Sequence, residues 1–164
     1  MIDTYGYFKK KTGSSFSVNT FLGEHTYLFG WKDGLSIEEI IRFETQTGCK
    51  LPNEYKDFLL TTNGASLFCI PEEDSGFVFY PCEGIIQRTE DLRNMGYELS
   101  PNIYVIAECM HSPNIILIDC NRAKGYLIDG DVGYPPVNWN HLRYGYRDFF
   151  MHLFETSGAE FWRW

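Results

Sequence analysis

The sequence lacks the short motifs that identify the common catalytic classes. It contains no G-x-S-x-G, no Walker phosphate loop and no G-x-G-x-x-G, so serine hydrolases, nucleotide hydrolases and dinucleotide enzymes all miss their signatures. It has no C-x-x-C pair, which is the usual sequence mark of a structural zinc site. No apolar run approaches the ~18 residues needed to span a bilayer. We therefore expect no catalytic residues, no metal, no cofactor and no membrane segment.

Positive charge is also scarce. The 164 residues include 14 lysines and arginines against 22 acidic residues, a formal net charge of -8. A phosphate backbone would be repelled by this balance, because nucleic-acid binding depends on basic contacts that release counterions. We expect no direct binding to nucleic acid, and we expect a protein partner to be basic.

What is present is the composition of one globular domain. Hydrophobic residues make up 44% of the chain and aromatic residues 17%, which is enough apolar surface to build a core at this length. The five cysteines are an odd number, and the polar start of the chain carries no secretory signal. We interpret the cysteines as reduced thiols in a cytoplasmic protein.

Three helices are predicted from local signals. Ser36 and Glu39 have the spacing of a capping box, and Gly48 is a suitable left-handed stop, which predicts a helix over 37–47. The stretch "LPNEYKDFLLTTNG" has a proline at its start, helical apolar spacing and an Asn-Gly stop, which predicts a helix over 52–62. Aromatic residues at helical spacing predict a final helix over 146–157.

Short β-rich runs separated by turn residues indicate an antiparallel sheet of about six strands. These runs are 66–70, 76–81, 84–88, 103–109, 114–119 and 125–130, with a brief helix near 89–95. A hairpin is predicted within 15–31, and residues 1–15 have the composition of a loose leader. The order of elements predicts a single α+β domain, in which 1–34 is an N-terminal extension of the domain 35–164. We expect the closing "EFWRW" to pack on the core rather than pair with a second copy.

Other chemistry finds little support in the residues. The nearest pair of metal-ligand types is Cys109 with His111 at a predicted strand end, where buried thiols and surface histidines are the commoner outcome. The acidic turn 129–133 lacks the third oxygen ligand and the later glutamate of a calcium loop. A catalytic pair assembled only in space, from Cys69, Cys109 and His141, stays open.

The segment "LSIEEIIRFETQTGCKLPNEYKDFLLTTNGAS" resembles the start of the SUKH superfamily, whose order of L-P-x-x-Y-x-x-F-L and N-G it repeats. A weaker likeness continues through "YVIAEC", "NIILIDC", "GYLIDGD" and "YRDFFMHLF", so that it covers about 35–155. The motif positions are Leu51, Pro52, Tyr55, Phe58, Leu59, Asn63 and Gly64. We interpret them as fold residues, because they mark one helix face and its two ends.

The resemblance implies a sheet flanked by helices and a role as an immunity protein that binds and neutralises a toxin domain, commonly a nuclease. A nuclease holds a polyanion in a basic cleft, so acidic residues near the predicted turns are the candidate contacts, with nearby aromatic residues as anchors. The predicted partner-binding residues are Glu72, Glu73, Asp74, Glu83, Asp129, Asp131, Tyr134 and Trp139. Tyr144 is a further aromatic candidate. The alternatives are a regulatory scaffold or small-ligand-binding module without catalysis and, ranked last, an enzyme with an unrecognised site.

Overall fold

The computed structural model describes residues 3–164, which form one antiparallel sheet of eight strands and five α-helices. The strands are β1 (Ser15–Thr20), β2 (Gly23–Trp31), β3 (Ala65–Cys69), β4 (Phe77–Phe79), β5 (Ile103–Cys109), β6 (Asn114–Asp119), β7 (Leu127–Asp131) and β8 (Asn140–His141). The helices are α1 (Thr4–Thr12), α2 (Ile37–Thr47), α3 (Asn53–Thr61), α4 (Cys82–Asn94) and α5 (Tyr146–Glu155). Two 3₁₀ turns span Pro136–Asn138 and Phe161–Arg163. The expected single α+β domain is confirmed, with eight strands in place of about six.

The strands follow one another across the sheet in chain order, so each is paired with its sequence neighbours. Successive residues of a strand point to opposite faces, and in β6 Ile116 and Ile118 join a large core while Ile115 and Leu117 join a smaller one. The large core is filled by α1, α2, α3, α5 and the start of α4, which contributes Cys82 and Ile85. The smaller core is closed by Leu92 of α4 and by segments that follow α4 and β7.

The helices α2, α3 and α5 confirm the three predictions from local signals. The Ser36 side chain accepts the Glu39 amide and the Glu39 side chain accepts the Ser36 amide, so the capping box is present at the start of α2. Gly48 ends that helix in the left-handed region, with φ 69°. Pro52 is the residue immediately before α3, and Gly145 has the same place before α5.

The predicted strand over 84–88 is wrong, because these residues belong to α4. Pro81 precedes the helix. The buried residues of α4 recur at three- and four-residue spacing, as on one face of a helix, and they continue across Thr89, where we had placed a boundary between strand and helix. They are Cys82, Ile85, Thr89 and Leu92. The helix lies beside β5, where the short strand β4 has already ended. There the Thr89 hydroxyl accepts the Val105 backbone amide at 2.9 Å, as a neighbouring strand would.

The prediction of a loose N-terminal leader is also wrong, because residues 4–12 form α1, which packs on the core. Tyr5 is buried, and its hydroxyl donates a hydrogen bond to the Glu54 backbone carbonyl at 2.8 Å. Lys9 donates to the carbonyls of Lys32 and Thr61. The helix was missed because its three consecutive lysines interrupt any clear apolar stripe, and its stability comes from packing on the core instead.

The hairpin within 15–31 and the core-packing tail are both confirmed. Strands β1 and β2 pair from Ser15 with Leu28 to Thr20 with Gly23. In the tail, Phe161 is buried and the Trp162 ring lies 4.9 Å from the Phe149 ring of α5.

The expectation of five reduced thiols is wrong for one pair. Cys49, two residues after the end of α2, and Cys120, directly after β6, form a disulfide that links positions 71 residues apart. The remaining three cysteines in residues 3–164, Cys69, Cys82 and Cys109, are free. The pairing is set by the fold and has no local sequence signal. The cytoplasmic location stays a prediction.

The Asn-Gly end of the motif joins α3 to the sheet. Asn63 accepts the backbone amide of Cys82, the first residue of α4, at 3.0 Å. Gly64 has φ 89°, and a Cβ atom at this position would lie 2.7 Å from the Phe79 carbonyl. A side chain therefore has neither the conformation nor the space that this position requires. The apolar motif residues Leu51, Tyr55, Phe58 and Leu59 are all buried.

Candidate protein-binding surface

Three loops emerge at the same end of the sheet because the strands alternate in direction. These loops are 70–76, 110–113 and 132–139, which follow β3, β5 and β7, and we call them together the loop end. They are connected through the backbone. The Met110 amide donates to the Gly76 carbonyl at 2.9 Å, and the Val132 amide donates to the Pro113 carbonyl at 3.0 Å.

The first loop presents an uncompensated acidic group. Glu72, Glu73 and Asp74 are all exposed, and none of them forms an ion pair with any residue in 3–164. Glu72 has φ 70°, a conformation that turns the chain sharply. The loop therefore carries three negative charges that are exposed to solvent and not neutralised by a neighbouring cation, so their attraction can act on a basic partner at a distance.

The second acidic pair is compensated within the chain. Arg163 contacts Asp129 at 2.7 Å and lies 3.8 Å from Asp131. The Trp162 indole also donates to Asp129, at 3.2 Å. Both carboxylates therefore hold the C-terminal 3₁₀ turn against β7, and only part of their charge is available to a partner.

The aromatic candidates differ in their exposure. Tyr134 is 60% exposed. Trp139 is half-buried, stacks on Tyr97 with ring centroids 6.1 Å apart, and donates to the backbone carbonyls of Asp131 and Tyr134. Trp139 thus fixes the shape of loop 132–139 while Tyr134 is presented to solvent. Tyr144 lies elsewhere, against Phe161.

Glu83 is separated from the other candidates. It lies in the first turn of α4, after the far end of β4, so it is exposed at the opposite end of the sheet from loop 70–76. The structure therefore places Glu72, Glu73, Asp74, Tyr134 and Trp139 at the loop end, Asp129 and Asp131 in the part of β7 that leads into it, and Glu83 outside it.

The hairpin adds an exposed apolar tip that the sequence reasoning missed. Leu28 of β2 pairs with Cys69, the last residue of β3, so residues 23–27 continue beyond the level of β3 and pair with β1. At the turn, Phe21 is 97% exposed and Leu22 is 76% exposed. The available signal was the pair of large apolar residues directly before Gly23, in the middle of the predicted hairpin, where polar turn residues are usual.

The cysteine and histidine pair that we left open forms in a different combination. Cys109 lies beside His111, while His141 bonds the Gly125 carbonyl at the opposite end of β7. Burial raises the pKa of Cys109 to about 11 and that of Cys82 to about 12. Both thiols are therefore protonated at neutral pH, which is unsuited to a nucleophile.

A further cleft lies at the opposite end of the sheet. It has a volume of about 720 Å³ and is lined by the residues before α3 and α5 and by the β6–β7 turn. Its cationic side chains are Lys50, Arg122, Lys124 and Arg143. Of these, only Arg122 forms an ion pair with a residue in 3–164, at 3.8 Å from Asp119.

Two features define a SUKH-type domain. One is the sheet with helices packed on it, and the other is the Asn63-Gly64 joint that fixes α3 to the sheet. The chain belongs to the SMI1 / KNR4 family (SUKH-1), whose family model matches residues 34–150. It is similar to the uncharacterized protein YnaB of Bacillus subtilis (strain 168), with 29% identity over 137 residues that cover 82% of this chain and 86% of YnaB. Membership of this generally non-catalytic family fits an immunity-type, protein-binding function.

Helix α1 and the hairpin precede the segment that the family model matches. They are still part of the same core as the matched helices, to which Tyr5 of α1 and Phe29 of β2 belong.

Within residues 3–164, no helix has both the length and the apolar character needed to cross a membrane.

Proposed function

We propose that this protein is a non-catalytic immunity protein that neutralises a toxin domain by covering a basic cleft with its loop end. The observation that carries the proposal is the placement of the free acidic group Glu72–Asp74 at the same end of the sheet as the exposed hairpin tip. The partner that this surface suits best is a nuclease, because a nuclease cleft must attract a polyanion.

The two parts of the surface have different physical roles. The unpaired carboxylates of Glu72, Glu73 and Asp74 accelerate encounter with a basic partner, since long-range attraction acts before contact. Phe21, Leu22 and Tyr134 bury apolar area once contact is made, which is the usual source of binding energy at the centre of an interface. Asp129 and Asp131 contribute mainly by holding the adjoining tail in place through Arg163.

Reversing the charge of Glu72, Glu73 and Asp74 to lysine is expected to slow association with the partner at low salt by about 10-fold or more. The partner is first obtained by immobilising the chain, capturing a basic protein from a lysate of the source organism and identifying it by mass spectrometry. Association rates of the purified pair are then measured from low to high ionic strength. The difference between wild type and variant should shrink as salt screens the charges.

The matched control is Asp33→Lys with Glu38→Lys and Glu83→Lys, which gives the same change of net charge from exposed positions away from the loop end. We expect this control to bind with an association rate close to that of the wild type. Equal slowing in both triple variants would show that only overall charge matters. An unchanged rate in the first variant would remove the Glu72–Asp74 group from the interface.

The cationic cleft favours a second candidate function, a module that binds a small anionic ligand. The starts of α3 and α5 both open into this cleft, and helix N-termini attract anions. Two carboxylates, Glu54 and Asp148, also line it, and one Glu54 oxygen accepts the Tyr126 hydroxyl and the Arg147 amide. Tyr126 is the one aromatic residue among those that line the cleft.

For this second function, inorganic pyrophosphate is expected to raise the melting temperature of the wild-type chain, because a ligand of the folded state stabilises it by about 2.7 kcal/mol at 100 times its Kd. The double variant Lys124→Glu with Arg143→Glu should lose this rise. Lys10→Glu with Lys32→Glu changes the charge equally at exposed positions outside the cleft and should keep it. A rise that is the same in both double variants counts against the cleft.

A further inference from the structure

We propose that Cys109, His111 and Glu160 form a site for a divalent transition metal ion of the zinc class. The sequence predicted no metal site, because two of these residues form a C-x-H pair at a strand end and the third is supplied 49 residues later by the segment before the C-terminal 3₁₀ turn. The site lies at loop 110–113 of the loop end, but the proposal does not depend on the toxin-binding function.

The distances between the donor atoms suit one small ion. The Cys109 sulfur, one His111 nitrogen and one Glu160 oxygen all lie within 4.8 Å of one another. Zinc bonds of about 2.0–2.3 Å in a tetrahedral shell place neighbouring donor atoms roughly 3.3–3.8 Å apart. The Cys109 sulfur lies 3.4 Å from Nδ1 and 3.3 Å from Nε2 of His111. His111 is exposed, so its ring is free to turn and direct one nitrogen to the shared position.

A buried polar side chain supports the carboxylate of the cluster. Asn114 is only 5% exposed, and its amide nitrogen donates to Glu160 Oε1 at 2.7 Å. Ser112 donates to the same oxygen at 3.1 Å. These bonds orient Glu160 and leave its second oxygen for a metal, which is how outer residues position a carboxylate ligand.

The same asparagine provides an independent sign of a missing ligand. The side-chain oxygen of Asn114 is buried and has no hydrogen-bond partner among residues 3–164. A buried acceptor of this kind is costly unless something donates to it. The unsatisfied acceptor therefore lies on the same buried side chain that holds Glu160, the carboxylate proposed as a ligand.

The donor set selects the class of metal. A thiolate, an imidazole and a carboxylate suit zinc and its transition-metal neighbours, whereas calcium and magnesium prefer oxygen ligands alone. Sulfur binds a metal as the thiolate, so the proton of the Cys109 thiol is released to solvent as the metal–sulfur bond forms.

Titration of the full chain with Co²⁺, without reductant, tests the site. We expect a near-ultraviolet thiolate-to-cobalt absorption band that saturates at one ion per chain and disappears when Zn²⁺ is added. Zn²⁺ is also expected to raise the melting temperature, since the ion joins the C-terminal segment to the β5–β6 turn. The variant Cys109→Ser should lose the band, while Cys69→Ser, which removes another free thiol, should retain it.

The exposed ligand gives a variant with little risk of misfolding. His111→Ala is expected to weaken Co²⁺ binding about 100-fold or more, because loss of even an outer-shell partner typically costs 10–100-fold. His141→Ala is the matched control and should bind as the wild type does. The proposal is overturned if no thiolate band forms, or if the band survives unchanged in Cys109→Ser or His111→Ala.

Discussion

Replacement of Phe150 by alanine is expected to lower the free energy of unfolding by about 3–5 kcal/mol, a large part of the stability of a domain of this size. Phe150 on α5 is fully buried. Its ring lies 5.2 Å from Tyr5 of α1, 5.6 Å from Phe58 of α3 and 6.1 Å from Phe79 of β4, measured between ring centroids. The cavity left by truncation would thus be lined by four elements that are distant in sequence and cannot easily collapse together.

Urea denaturation followed by tryptophan fluorescence measures this loss. The matched control is Phe21→Ala, which deletes the same ring from the hairpin tip, where it is 97% exposed. This control is expected to change the free energy of unfolding by less than about 0.5 kcal/mol. Similar losses in the two variants would mean that Phe150 is not packed against the rings of Tyr5, Phe58 and Phe79 as these distances indicate.

Removal of the disulfide through Cys49→Ser with Cys120→Ser is expected to lower the free energy of unfolding by about 2–5 kcal/mol. The bond links positions 71 residues apart, and closing a loop of that length restricts the unfolded chain by about 4 kcal/mol in the chain-entropy treatment. It also ties the end of α2 to the end of β6, so that a helix and a central strand cannot separate before the whole domain opens.

Thermal denaturation with and without a reductant provides the measurement. Reductant should lower the melting temperature of the wild type to near that of the double variant and leave the double variant unaffected. Cys69→Ser is the control, because Cys69 is a free cysteine and should preserve the response to reductant. A wild-type melting temperature that ignores reductant would contradict a stabilising bond between Cys49 and Cys120.

The elements that could be predicted from sequence are those whose signals are local. The capping box of Ser36 and Glu39 located α2, and the β-rich runs over 103–109 and 114–119 located β5 and β6 with their observed ends. The elements that were missed depend on distant partners. Helix α1 is held by Tyr5 against Glu54, and α4 is aligned by the bond between Thr89 and Val105.

The candidate surface follows the same division. The acidic and aromatic residue types near turns could be selected from sequence, but their convergence depends on strand directions, which also explains why Glu83 falls outside the loop end. The pairing of Asp129 with Arg163 spans 34 residues and has no local signal. The disulfide and the Cys109–His111–Glu160 cluster were missed for the same reason.

The joint at Asn63 and Gly64 separates the recognisable sequence motif from the proposed binding surface. The joint fixes the helix layer to the sheet through a backbone amide and a space that only glycine fits. The joint does not involve loop 70–76, which follows β3, or the hairpin tip, which precedes it in the chain. The exposed residues Glu72, Glu73, Asp74, Phe21 and Leu22 can therefore change while the architecture that the motif specifies stays intact, so the proposed recognition surface can vary independently of the motif by which the family is identified.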